Sequence, residues 1–73
     1  MHKQFRNFGT PLSHVVEECG EVIAAAGKVL RFGWDSTNPL LPIADQVVNE
    51  TLMKQEVADL ECAISRLKNE RGW

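Results

Sequence analysis

Five carboxylates carry the clearest chemical pattern in this 73-residue sequence; they are Glu17, Glu18, Glu21, Glu56 and Asp59. Residues 18 and 21, and residues 56 and 59, have i, i+3 spacing, so each pair points the same way from a helix. Two such pairs that face each other form a cluster of oxygen ligands in which like charges repel. A hard divalent cation relieves that repulsion, and oxygen ligands suit Mg²⁺ or Mn²⁺ better than Zn²⁺.

The carboxylates lie within two segments that have the apolar periodicity of helices. The apolar arc of the first segment contains Leu12, Val15, Val16, Cys19, Val22, Ile23, Ala26, Val29 and Leu30. The arc of the second contains Leu52, Met53, Val57, Leu60, Ala63, Ile64 and Leu67. Glu18 lies at the edge of the first arc and Glu56 inside the second, so packing should partly desolvate both. The alternative is an ordinary solvated helix face, which fits Glu56 least well.

Capping residues predict the bounds of the first helix at about 11–32. Thr10 is a good N-cap and Pro11 suits the first helical position. Gly33 then ends the helix. Before it, Phe5 and Phe8 would either cover the helices as an apolar flap or belong to a loosely ordered arm.

A loop of about 33–48 and a second helix of about 49–70 complete the predicted architecture. Pro39 and Pro42 forbid a regular helix through the loop, and Asn49 is the expected N-cap of the second helix. We therefore predict an all-α fold with two long antiparallel helices in one domain, residues 1–73.

The length of the chain favours self-association. A chain of this size buries only about 60% of its unfolded surface, which leaves a monomer marginally stable. The 4-3-4-3 spacing of the second apolar arc suits helix pairing. We expect homo-oligomerisation to complete a four-helix bundle.

Composition excludes several classes of function. The formal charge of −2 provides no basic surface for nucleic acid. No apolar run is long enough to span a bilayer, and the first residues do not resemble a signal peptide. Two cysteines make no disulfide framework; Cys19 reads as a small core residue, and Cys62 lies on the polar side. These features predict a reducing, cytoplasmic setting.

Several residues beside the carboxylates have two readings each. Lys28 lies on the side of Glu21, two turns further on, and either meets phosphate or follows the preference for cations near a helix C-terminus; Arg31 has the same two readings. Trp34 either stacks on a base or fills the core, and the core is favoured. His14 either touches a ligand or has a structural role, and the structural role is favoured.

The acidic motif resembles a known family. Glu17-Glu18-x-x-Glu21 followed by Glu56-x-x-Asp59 is similar to the EExxE…ExxD signature of the MazG-like all-α nucleoside triphosphate pyrophosphohydrolases. The resemblance extends over about residues 11–67 and is strengthened by Lys28, Arg31-Phe32-Gly33 and Asn49. The gap between the motif halves is longer than in many members, and the chain stops soon after the second helix.

The resemblance implies an activity and a set of roles. The family cleaves NTPs or dNTPs between the α- and β-phosphates to give a monophosphate and pyrophosphate, with Mg²⁺ as cofactor, and its members are dimers or dimers of dimers. The residues that match its metal ligands are Glu18, Glu21, Glu56 and Asp59. Glu17 matches a residue that binds a second metal or orients the attacking water. We assign substrate binding to Lys28, Arg31, Trp34 and Asn49.

Two other classes of function compete with this reading. A non-catalytic helical oligomer, acting as an interaction or regulatory module, would have the same helices. A di-iron carboxylate bundle is disfavoured because neither helix has a Glu-x-x-His pair. The base and sugar of the substrate do not follow from the sequence.

Overall fold

A computed structural model of the chain describes residues 9–37, 40, 42 and 46–73. These residues form two α-helices and no strand: α1 spans Pro11–Phe32 and α2 spans Asn49–Arg71. The all-α prediction is confirmed for this part of the chain, and both helices begin and end within one residue of the predicted positions. The predicted roles of Phe5 and Phe8 fall outside the described residues.

Local signals set both ends of α1 as expected. The Thr10 hydroxyl accepts a hydrogen bond from the Ser13 backbone N–H at 3.2 Å, and Pro11 begins the helix. At the other end, the backbone N–H of Gly33 donates to the Val29 carbonyl at 2.8 Å. Gly33 has φ 93° and ψ 165°, a conformation that is essentially restricted to glycine.

The start of α2 differs from the prediction, because Asn49 is the first helical residue and Val48 occupies the N-cap position. The N–H groups of Asn49 and Glu50 donate to the backbone carbonyls of Ser36 and Trp34, at 2.8 and 2.9 Å. These carbonyls satisfy donors that a cap side chain would otherwise serve. The Asn49 side chain is therefore free to donate to the Gly33 carbonyl at 2.9 Å, which ties the two helix ends together.

The two helices pack antiparallel, since the start of α1 contacts the end of α2 through His14 and Arg66. The core between them is thin: the buried residues among those described are Ala25, Ala63 and Asn49. The predicted arc of α1 is too broad for this single contact, and Cys19, expected in the core, is exposed. The exposed part of that arc also includes Leu12, Val16, Ile23 and Leu30.

Neither α1 nor α2, the helices of the described residues, combines the length and the apolar character needed to cross a membrane.

Candidate metal centre and adjoining groove

Three of the predicted ligands meet between the helices. Glu18 from α1 and Glu56 and Asp59 from α2 each offer a carboxylate oxygen, and these oxygens all lie within 4.8 Å of one another. Glu18 and Glu56 are half-buried, whereas Asp59 is exposed. Because Glu56 and Asp59 are one helical turn apart, both reach the same point on α1.

The pKa of Glu56 is raised above its ordinary value of 4.5. Partial desolvation is the largest cause, followed by the negative charges of Glu21, Asp59 and Glu18 and a hydrogen bond with the Glu21 side chain. Each of these disfavours the charged form of the Glu56 carboxyl. Negative charge is therefore crowded around Glu56.

The other two acids of the motif occupy different positions. Glu21 borders the cluster through its hydrogen bond with Glu56, but it is not among the three acids whose oxygens come within 4.8 Å. Glu17 is exposed and lies along a shallow hollow beside Thr10, Ser13 and Val16. The structure thus brings four of the five predicted acids to one place and leaves Glu17 aside.

Basic groups lie at the end of the cluster nearest the start of α1. His14 Nε2 is 4.0 Å from a Glu18 carboxylate oxygen. Arg66 Nη1 lies 3.4 Å from His14 Nδ1, and Arg66 Nη2 donates to the Gly9 carbonyl at 2.9 Å. Arg66 thereby joins α2 to the residues before α1 and holds His14 beside Glu18.

A groove of about 590 Å³ lies at the opposite end, where α1 finishes and α2 starts. Its walls are formed by Lys28, Arg31, Phe32, Ser36, Thr37, Leu40 and Asn49. The Arg31 guanidinium lies 5.6 Å from the centre of the Phe32 ring. Lys28 is two helical turns after Glu21, and Asn49 is two turns before Glu56, so each is about 10 Å along its helix from the cluster. Three of the four predicted substrate-binding residues line this groove.

Trp34 is the predicted substrate-binding residue that the groove does not include. It is 53% exposed, so it does not fill the core as favoured from the sequence. It borders a separate hollow with Met53, Lys54 and Val57. Phe32 is the aromatic residue that reaches the groove, and Ser36 and Thr37 add hydroxyl groups there. The sequence reasoning missed these three, although they flank the Gly33 turn that it identified.

This arrangement can do two things chemically. Clustered carboxylates suit a hard divalent cation, and a groove with two cations, an aromatic ring and hydroxyls suits an anionic molecule with a planar part. No family model, curated protein or solved structure matches this chain.

Proposed function

We propose that this chain is a Mg²⁺-dependent, MazG-like nucleoside triphosphate pyrophosphohydrolase that converts an NTP or dNTP to the monophosphate and pyrophosphate. The observation that carries the proposal is the convergence of Glu18, Glu56 and Asp59 to within 4.8 Å, with a cationic groove two helical turns away. The sequence motif supplies the specific reaction.

The donor set fits Mg²⁺, with Mn²⁺ as the alternative. All the donors are carboxylate oxygens, which hard divalent cations prefer. Desolvation, followed by the charges of Glu21, Asp59 and Glu18, raises the pKa of Glu56, and a bound cation would favour its charged form. Glu18, Glu56 and Asp59 would hold the ion, and Glu21 would complete the set. When bound, Mg²⁺ supplies charge neutralisation for phosphates and a lower pKa for a coordinated water.

The protein groups around the cluster have separate tasks in this proposal. A carboxylate that is not occupied as a ligand accepts the proton of the attacking water. Lys28 and Arg31 stabilise negative charge on the phosphates. The spacing of about 10 Å between cluster and groove suits a substrate that extends along the helices.

The proposed substrate lies with its phosphates at the cluster and its nucleoside in the groove. The Phe32 ring offers a flat surface for a base in this groove. Ser36, Thr37 and Asn49 bring polar groups to the same groove. Trp34, on another surface, has no place in this arrangement.

The test is pyrophosphate release from a panel of NTPs and dNTPs, with and without Mg²⁺. We expect Mg²⁺-dependent release by the wild type and a loss of about 100-fold or more in Glu56→Gln, because metal charge is central to phosphoryl chemistry. Glu61→Gln is the matched control, since Glu61 is an exposed acid on the same helix. It should retain the activity of the wild type.

The outcomes separate the enzyme from its strongest competitor, a non-catalytic helical oligomer that acts as an interaction module. The exposed apolar residues of α1 favour that alternative. A folded, helical protein that releases no pyrophosphate from any nucleotide would support it and contradict the enzyme.

We also propose that the chain acts as a homodimer or homotetramer, in which further copies complete a four-helix bundle. The thin core, with two buried alanines and Asn49 among the described residues, supports this assembly. A cytoplasmic setting goes with the proposed substrate and with two free cysteines.

A further inference from the structure

His14 is the imidazole of the described residues, and it stands beside the carboxylate cluster. It precedes Glu18 by one helical turn, so both side chains point the same way from α1. Its Nε2 atom lies 4.0 Å from a Glu18 carboxylate oxygen. The group of donor atoms that lie within 4.8 Å of one another nevertheless consists of Glu18, Glu56 and Asp59, without His14. Movement of the imidazole toward Glu18 would change an all-oxygen site into a site of mixed ligands.

The two kinds of site select different metals. Carboxylate oxygens alone suit Mg²⁺ and Mn²⁺. An imidazole nitrogen suits Ni²⁺, Cu²⁺ and Zn²⁺, and these ions generally bind more tightly than Mn²⁺. An imidazole binds a metal only through a ring nitrogen that has no proton. The position of the His14 ring proton therefore decides which metals the cluster attracts.

Arg66 determines that position. Its Nη1 atom lies 3.4 Å from His14 Nδ1, and its Nη2 atom donates to the Gly9 carbonyl at 2.9 Å. Because a guanidinium has donors and no acceptor, the first contact is a hydrogen bond only when His14 Nδ1 is the acceptor. The single proton of the neutral ring then lies on Nε2, the nitrogen that faces Glu18. That nitrogen has no lone pair to offer a metal ion.

We propose that Arg66 makes the candidate metal centre selective for Mg²⁺ and Mn²⁺, because it keeps the ring proton of His14 on Nε2 and so excludes His14 as a metal ligand. To bind a metal through Nε2, His14 would have to carry its proton on Nδ1, where it would face the N–H groups of Arg66 with no acceptor between them. The positive charge of Arg66 also opposes a metal ion at this imidazole. Without Arg66, the proton can occupy Nδ1 and Nε2 becomes available beside Glu18.

The fold, and not the local sequence, creates this control. Arg66 belongs to α2 and comes 52 positions after His14, so the contact exists only when the two helices pair. The side chains of His14 and Glu18 are 35% and 14% exposed, so the helices partly shield them from water. Arg66 is a positioning residue in this inference, since it acts on the metal through His14. The inference rests on the proposed metal centre, but it does not depend on nucleotide hydrolysis.

The first experiment is isothermal titration calorimetry of the full chain with Ni²⁺ and with Mg²⁺. We expect Arg66→Met to raise the ratio of Ni²⁺ affinity to Mg²⁺ affinity by about 10-fold, the lower end of the effects of residues that orient metal ligands. The same substitution in a His14→Ala background should leave the ratio unchanged. Arg71→Met is the matched control, because it removes the same charge from an exposed position at the end of α2.

A comparison of ratios keeps other nickel ligands from confusing the result. Cys19 and Cys62 are exposed, but both are present in every variant and contribute equally. An unchanged ratio in Arg66→Met, or a rise that persists without His14, would overturn the inference and leave the proposed Mg²⁺ enzyme intact. A rise that requires His14, in a protein that releases no pyrophosphate, would support the inference and contradict the enzyme. Failure of every variant to bind either metal would refute both.

The second experiment needs no substitution and covers the case in which Arg66→Met fails to fold. The nitrogen NMR shifts of a neutral imidazole distinguish its two tautomers. We expect His14 of the metal-free wild type, at a mildly alkaline pH where imidazole is neutral, to have its proton on Nε2. A proton on Nδ1 would mean that Arg66 does not control this ring, and the inference would then be wrong.

Discussion

At the scale of the residue, Glu56 has the most distinctive environment among the described side chains. It is half-buried, faces three other acids, and is the one described group whose pKa is clearly shifted. A carboxyl group placed in this way stores repulsion that a cation or a proton releases. Through this side chain, raising the pH should lower the stability of the metal-free protein, whereas adding Mg²⁺ should increase the stability.

The pH dependence of stability follows from the raised pKa of Glu56. The folded protein binds this proton more tightly than the unfolded chain, so the contribution of Glu56 is fully present below its unfolded pKa. It is lost as pH rises through the higher folded pKa. With a chelator present, we expect the melting temperature of the wild type to fall from pH 4.5 to 7.5 by more than that of Glu56→Gln.

Two comparisons make this prediction specific to Glu56. Glu61→Gln should follow the pH dependence of the wild type, because Glu61 lies outside the cluster. Added Mg²⁺ should raise the melting temperature of the wild type and not that of Glu56→Gln. If the melting temperatures of the metal-free wild type, Glu56→Gln and Glu61→Gln all changed equally with pH, Glu56 would experience no excess repulsion.

The carboxylate cluster was predictable from sequence because i, i+3 spacing on two helices determines which acids point together. The interior position of Glu56 in an apolar arc also indicated its desolvation. The role of Asn49 was not predictable, because the donors at the start of α2 are satisfied by Ser36 and Trp34 carbonyls that come from a distant segment. A local capping rule does not contain that tertiary contact.

At the scale of the element, substitution of two glycines by alanine should change the stability of the protein in opposite directions. Gly33 ends α1 with φ 93° and ψ 165°, and a side chain there is strained by about 1–3 kcal/mol. Gly20 is helical, and a Cβ added to it meets nothing within 4 Å. Gly20→Ala should stabilise the protein by about 1 kcal/mol and raise its melting temperature by about 4–8 °C.

Thermal unfolding followed by circular dichroism measures both substitutions. We expect Gly33→Ala to lower the melting temperature and Gly20→Ala to raise it. Destabilisation by Gly20→Ala would mean that another chain approaches α1 closely at that position.

The junction between the helices depends on Asn49, which is 5% exposed and donates to the Gly33 carbonyl. Asn49→Ala leaves that carbonyl without its donor, which should cost about 1–3 kcal/mol. Asn69→Ala is the control, since Asn69 is exposed near the end of α2, and it should change stability little. Urea unfolding of the three proteins gives the difference directly; equal midpoints would show that the hydrogen bond contributes nothing.

At the scale of the whole molecule, helix number and bounds followed from the sequence, whereas the distribution of apolar residues did not. The periodicity of α1 identified a broad arc that contains Val22 and Ile23 alike. In the single chain, α2 partly covers Val22 and leaves Ile23 open. Periodicity shows that a helix face is apolar but not which element covers it. An apolar arc that packs against two different elements therefore has the same sequence pattern as one that packs against a single element.

The cluster is formed between the two helices of one chain, whereas the apolar residues Ile23 and Leu30 are exposed on α1, so metal binding and the proposed self-association should stabilise the protein independently. Any species that binds only the folded state raises the melting temperature in proportion to the logarithm of its excess. The wild type should therefore melt higher with added Mg²⁺ and higher with increased protein concentration. Distant sites without shared partners are expected to contribute additively.

Crossing the two substitutions tests this independence. Glu56→Gln should lose the Mg²⁺ response and keep the concentration response, since its side chain belongs to the half-buried cluster between the helices. Ile23→Lys should keep the Mg²⁺ response and lose the concentration response, because it places a charge among the exposed apolar residues of α1 that the proposed oligomer would cover. If either substitution abolished both responses, the carboxylate cluster would form only in the assembled protein, and the association of two chains would then be a condition for metal binding.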